Sequence, residues 1–330
     1  MKNKLFKISS ICLLMGVCSF GLFKFYDYLT DDFRMGNIHH EFPEDFPFES
    51  FWQPVNTTDE EKNHLTYILD QPFHYLGKGA QSYVFSSEDD KYVIKFFKFK
   101  NLRPTLFVNL IPPVFPFLEF KNTCIERRQK RLMNVFIGYD LAYKVVKNET
   151  QLVYVHLTPT NFFKKNVTVT DKIGRTWHIN LDDVYFVLQK KGEVLSSRLS
   201  RLLERGNIQK VKSTISTLLG MYVSEYRQGM FDMDHGVTHN TGFIDDGING
   251  DQAFHLDVGQ LCRTEKIKNV EYYKHDLQIV IWRINKWLVD HFPQYHSEIP
   301  QFLENEYLKW TGEELHIGAI NPKFSKKNLP

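Results

Sequence analysis

The sequence predicts an α+β fold, strand-rich in its first half and mainly helical in its second. Three observations carry that expectation. Residues 73–99 read as short β-rich runs joined by tight turns. From Leu195 onward, apolar residues recur at helical spacing. The 330 residues are 42% hydrophobic and 24% charged, which suits a globular chain and excludes broad disorder.

The net charge of +2, from 41 Lys and Arg against 39 Asp and Glu, leaves no electrostatic footprint for nucleic acid, so no such partner is expected. Cys12 and Cys18 fall in an N-terminal apolar run. Neither Cys124 nor Cys262 stands in a C-x-x-C pair, so zinc and thioredoxin-like chemistry are excluded. Both are expected as free, mostly buried thiols.

Residues 1–28 read as a signal or anchor segment. Lys2, Lys4 and Lys7 precede the apolar stretch Ile8–Phe23, and no A-x-A cleavage site follows. The expected localisation is a membrane, through a single-pass N-terminal anchor; the alternative is secretion after cleavage. Lysines before the stretch and Asp27, Asp31 and Asp32 after it predict the bulk of the chain outside. Residues 29–70 form an N-terminal extension, in which the Phe/Pro-rich run from His40 to Pro47 excludes a long helix.

Residues 71–190 are expected as a β-rich lobe. It contains the strands of 73–99, a proline-broken apolar stretch at Pro104–Phe117, a helix from about Lys121 to Val146, and further strands up to Gln189. Residues 191–320 are expected as a helical lobe, with helices at Leu195–Glu204 and Ile208–Gln228 and a hairpin around Asp245–Asp251. Residues 321–330 are a polar tail.

Two motif groups carry chemistry. The first is Leu76-Gly-Lys-Gly-Ala-Gln-Ser-Tyr-Val84, where small residues at Gly77, Gly79 and Ser82 let backbone N–H groups approach phosphate oxygens. Lys95 follows on the next strand, eleven residues past Val84, with apolar neighbours for its stem. A glycine hairpin and a solvated lysine are the plainer reading of these residues alone. The second group joins Asp234, Asn240 and Asp257 around one hairpin. Asn240 and Asp257 offer two hard oxygen ligands of the kind Mg²⁺ takes alongside phosphate. Asp234 is placed to accept or orient a hydroxyl proton. Turn-forming Asp and Asn are the plainer reading here, and the order of these residues among the helices argues against it.

In that order the motifs resemble those of the protein-kinase-like superfamily, from about Phe73 to about Leu288. The resemblance implies a bilobal fold and an ATP- and Mg²⁺- (or Mn²⁺-) dependent transfer of the γ-phosphate to a protein or small-molecule hydroxyl. It implies that Gly77, Gly79, Ser82 and Val84 cover the nucleotide, with Lys95 on its phosphates. By the same likeness, Glu126, or secondarily Glu119, pairs with Lys95, Asp234 serves the acceptor, and Asn240 and Asp257 hold metal. The chain departs from the pattern in several places. Ser82 replaces a glycine, Asp232 stands where His is usual, Asn240 comes one residue late, and Val258 stands for Phe. No Ala-Pro-Glu segment follows, which argues against regulation by loop phosphorylation. The alternative these departures leave open is a membrane-anchored pseudokinase acting as a binding or scaffolding module.

Overall fold

A computed structural model describes residues 2–42, 57–101, 108, 110–112, 114–115, 117–245, 250–327 and 329. Along the chain come α1 (Lys2–Leu29), α2 (Asp59–Leu69), β1 (Phe73–Lys78), β2 (Ser82–Ser87), β3 (Tyr92–Phe97) and α3 (Phe117–Val145). Next are β4 (Leu152–His156), β5 (Asn166–Thr170), β6 (Thr176–Asn180), β7 (Phe186–Lys190) and β8 (Glu193–Val194). The remainder holds α4 (Leu195–Glu204), α5 (Ile208–Arg227), β9 (Met230–Asp232), β10 (Thr241–Asp245), β11 (Asp251–His255), β12 (Leu261–Arg263), α6 (Val270–His291) and α7 (Glu298–Thr311). The fold is α+β, with the large sheet in the N-terminal region and a mainly helical C-terminal region, as the sequence predicts.

The chain divides into two units, residues 1–107 with 156–188 and residues 108–155 with 189–330. The helix after the glycine loop is therefore grouped with the later helices. The first unit holds strands in the order β7-β3-β2-β1-β5-β6. β1, β2 and β3 pair antiparallel, while β1 and β5 pair parallel through Phe73↔Val169 and His74↔Thr170. Alternation sends Tyr83 and Phe85 to one face, where they meet buried Phe33 from the N-terminal extension. α2 starts at a capping box, in which the Thr58 side chain takes the Glu61 N–H and Glu61 reaches back to the Thr58 N–H. It then buries Leu65, Ile68 and Leu69.

The second unit is built on α4–α7. Leu199 and Leu202, Ile215, Leu218 and Tyr222, Leu277, Ile281 and Ile284, and Leu303 and Tyr307 recur three, four or seven apart and form one core. Each such fully buried side chain stabilises by about 1.5–3 kcal/mol before entropy is counted.

Three expectations need amendment. Cys124 and Cys262 are free, yet half-buried rather than mostly buried. The stretch Pro104–Phe117 and the run from His40 lie partly outside the described residues, whereas Leu110, Val114, Phe115 and Phe117 are exposed. Among the described residues no helix is long and apolar enough to cross a membrane. α1 nevertheless runs 28 residues and exposes Leu13, Leu14, Met15, Val17, Phe20 and Leu22.

Candidate active site

In the first unit the glycine loop joins β1 to β2. The Gly79 N–H donates to the Ser82 carbonyl at 2.9 Å and closes the turn, with a bulge between Tyr75 and Gly77. A Cβ built at Gly77 would meet nothing within 4 Å, and one at Gly79 only the Ser82 Oγ at 3.7 Å. Neither glycine has positive φ. The fold therefore tolerates a side chain at both positions, and what their absence leaves is bare backbone for something to approach. Val84 stands directly opposite Lys95 in the β2–β3 register, so both share one face of the sheet. Lys95 is buried on β3. Glu126 and Glu119, the expected partners of Lys95, are exposed on the N-terminal half of α3, in the other unit.

Lys98, which sequence reasoning passed over, supports the loop. Its ammonium donates to the Gly79 carbonyl at 2.7 Å and lies 4.4 Å from the centre of the Tyr83 ring. Burial pulls its pKa down to about 8, with Lys100 and Lys78 adding to the fall and Asp32 opposing it.

In the second unit three segments meet. β9 pairs with β12 through Leu261↔Asp232, and the Met233 N–H donates to the Gln260 carbonyl at 3.2 Å. β10 pairs with β11 through Thr241↔His255, and the Leu256 N–H donates to the Asn240 carbonyl at 2.7 Å. These bonds gather Asp234, Asn240 and Asp257 at one end of both strand pairs. A single helical turn, Val237–Asn240, carries Asn240 back over Gly236, whose carbonyl accepts the Asn240 N–H at 2.8 Å. A Cβ at Gly236 would lie 2.8 Å from the Asn240 Nδ2 and 3.4 Å from the Asp234 Oδ1, so both side chains border the same spot and the Asn240 amide would have to shift to admit a larger residue there.

The backbone here is firmly held, while the candidate site side chains have few partners among the described residues. His235, next to Asp234, places Nε2 2.6 Å from the Asp276 Oδ1, and the Tyr226 hydroxyl donates to the other oxygen of Asp276 at 2.6 Å. Below the hairpin, fully buried His255 pairs with fully buried Glu225 at 2.9 Å. Burial alone would lower the His255 pKa, but the Glu225 charge and hydrogen bond raise it to about 9. Asp232 is buried; one oxygen accepts the Asp234 N–H at 2.9 Å, and its Oδ2 has no hydrogen-bond partner among the described residues. Burial pushes its pKa up to about 7. By contrast, Asp234 and Asp257 are exposed. Among the described residues the side chains of Asp234 and Asn240 make no hydrogen bond. Asp257 accepts on Oδ1 alone, from the Gly259 N–H at 3.1 Å and the Tyr139 hydroxyl at 3.4 Å.

This donor set fits a hard divalent cation. Among the described residues Asp257 Oδ2 and the side-chain Oδ1 of Asn240 are oxygen atoms left open, the number Mg²⁺ accepts when phosphate and water complete its shell. Among the described residues no group of three or more His, Cys, Asp and Glu is placed to hold a metal by itself.

No protein-family model matches the chain, and no curated protein does. Solved structures do resemble it in part. The co-crystal structure of WbdD with the kinase inhibitor LY294002 is 14% identical, with 73% of this chain and 46% of that chain covered at a TM-score of 0.33. The medium-resolution structure of the bifunctional kinase-methyltransferase WbdD is also 14% identical, with 77% of this chain and 49% of that chain covered at a TM-score of 0.33. The chain spans about half the length of the solved chains it matches.

Proposed function

We propose that the protein is an ATP- and Mg²⁺-dependent phosphotransferase that moves the γ-phosphate to a hydroxyl of a protein or small molecule. The observation that carries this reading is the contrast within the second unit. Asp234, Asn240 and Asp257 converge on a backbone fixed by paired strands, yet among the described residues only Asp257 Oδ1, of all their side-chain oxygens, accepts a hydrogen bond. Oxygens so placed are preorganised for a ligand and cost little reorganisation when it arrives. In this reading Asp234 accepts the proton of the incoming hydroxyl, while Asn240 and Asp257 hold the metal, which neutralises phosphate charge. The bare backbone of Gly77 and Gly79, with Ser82, Val84 and Lys95, is assigned to the nucleotide. Association with a membrane through α1 belongs to the same proposal and draws on the exposed apolar side chains from Leu13 to Leu22.

The test is incubation of the full chain with labelled ATP and Mg²⁺ or Mn²⁺, beside the variant Asp257→Ala. Label should move to protein or to an added acceptor with the wild type, and transfer should drop at least about 10³-fold in the variant. Undiminished transfer by Asp257→Ala removes the mechanism. A Mg²⁺-ATP-induced rise in melting temperature without any transfer makes the protein a binding module instead.

A further inference from the structure

The end of α1 is built into the glycine loop. Thr30 closes the helix, its N–H and hydroxyl both donating to the Tyr26 carbonyl at 3.0 and 2.8 Å. Asp31 and Asp32 then both adopt left-handed backbone, with φ of 49° and 59°. For residues other than glycine this costs roughly 1 kcal/mol or more each, so a compensating set of interactions is required.

That set lies on the face of the first unit's sheet that carries Tyr83 and Phe85. Asp31 accepts the Tyr75 hydroxyl at 2.9 Å and has the Lys172 and Lys78 ammonium groups at 3.2 and 3.4 Å. Asp32 takes the Tyr83 hydroxyl and the Lys100 ammonium on its carboxylate, with Lys78 at 3.8 Å. Its carbonyl accepts from Tyr83 and from the Asn37 amide at 2.9 and 2.8 Å. Burial alone would raise the Asp32 carboxyl, but the hydrogen bonds of Lys100 and Tyr83 and the charges of Lys100 and Lys98 hold it below its ordinary value. Phe33, fully buried, wedges edge-on against Tyr83, Phe85 and Trp177 at 5.2, 5.0 and 5.9 Å.

Three of the gripped residues, Lys78, Tyr75 and Tyr83, lie in or beside the loop. Lys78 is the residue between Gly77 and Gly79. Tyr75 and Tyr83 are the strand residues flanking the turn, and Lys98, lying over Tyr83, holds the Gly79 carbonyl. Tyr83 points away from the Val84 and Lys95 face, so the grip leaves the face assigned to nucleotide clear.

We propose that the Asp31–Asp32 elbow is a positioning element for the glycine loop. It fixes the backbone of Gly77–Ser82 from behind and makes phosphate binding depend on the N-terminal segment. The geometry stands by itself; the consequence for catalysis rests on the phosphotransferase reading above.

The experiment uses the full chain and the double variant Asp31→Asn with Asp32→Asn, with Tyr83→Phe as a milder second variant that keeps the ring. Amide hydrogen exchange is read without nucleotide. Exchange across 76–84 should quicken about 10-fold, with the β5–β6 hairpin unchanged. With ATP, KM should rise about 5- to 10-fold with kcat within about 2-fold, because the loop is loosened while the second unit is untouched. Replacing both aspartates by glutamate should restore part of the loss. Unchanged loop exchange in both variants overturns the proposal, and so does a uniform quickening of the whole first unit, which marks a purely structural role. If loop exchange quickens but even the wild type neither binds nor turns over ATP, the elbow stands and the phosphotransferase reading falls.

Discussion

Two pairs of loop aspartates in this molecule look alike in sequence and behave oppositely in structure. In the first unit, Asp182 accepts the N–H groups of Phe162, Phe163 and Lys164 at 2.9, 3.0 and 2.7 Å and the Thr160 hydroxyl. Asp171 closes the β5–β6 turn by accepting from the N–H groups of Ile173 and Arg175 and from the Trp177 ring nitrogen. Both are buried. Burial by itself would raise the Asp182 carboxyl, and the Thr160 hydroxyl and the backbone donors outweigh it and hold it low. In the second unit, Asp234 and Asp257 are exposed, and together they accept only the two bonds that Asp257 takes on one oxygen, among the described residues. A saturated carboxylate is part of the backbone's architecture. An open one on a rigid backbone is available to a ligand. Hydrogen-bond occupancy, more than residue type or loop position, separates the two roles.

That contrast can be broken by substitution. Asp234→Asn keeps size and removes the basic oxygen. Phosphate transfer should fall about 10³-fold while the unfolding midpoint in denaturant stays put, since no structural bond is lost. A large loss of stability would show that Asp234 works for the fold after all. Asp182→Ala should do the reverse, costing about 3 kcal/mol of stability by removing the charged acceptor of four hydrogen bonds, with residual nucleotide chemistry scaling only with the folded fraction. Urea titration followed by activity per folded molecule checks both.

The smallest effect concerns pH. His156 donates its Nδ1–H to the Val184 carbonyl at 2.7 Å and places Nε2 3.1 Å from the Thr160 Oγ1, and Thr160 in turn donates to Asp182, so it belongs to the same closed network. Burial lowers its pKa from 6.5 to about 4, although the Val184 carbonyl and the Asp182 charge work against the fall. Below pH 6.5 the unfolded chain binds a proton that the folded chain refuses until about pH 4. Stability is therefore full above 6.5 and is lost as the pH drops, by about 2 kcal/mol at pH 5. Melting curves at pH 7 and pH 5 should show the loss, and His156→Gln should flatten it. A pH-independent melt would mean the histidine is not sealed off.

Much of this was legible from sequence because it follows local rules. The alternation of Tyr83, Phe85 and the Val93–Phe97 run marks β2 and β3, and the helical spacing of Leu199 to Leu219 marks α4 and α5. The nearness of Asp234, Asn240 and Asp257 is legible from their order around one hairpin, while their roles stay part of the proposal. What escaped notice depends on partners far away in the chain. Asp31 and Asp32 read as acidic flanks of an apolar run, and nothing near them announces Tyr75, Tyr83 or Lys172. β9 and β12, at three residues each, are too short to show a period. Glu225 looks like one more polar position on an amphipathic helix until His255 arrives thirty residues later.

One close approach joins the longest helix of the second unit to the end of its hairpin. A Cβ at Gly138 of α3 would lie 2.3 Å from the Val258 carbonyl oxygen, and one at Gly259 would meet Val135 at 3.4 Å. Helix and turn thus touch backbone to backbone, one residue from Asp257, whose Oδ1 is also held by Tyr139 of the same helix. Such a seam has no soft side chains to absorb movement. α3 is 29 residues long, roughly 40 Å, and its exposed half extends well away from the seam. It is shaped like a crank with its short arm on the proposed metal ligand. Whatever pushes the far end of α3 would be felt at Asp257.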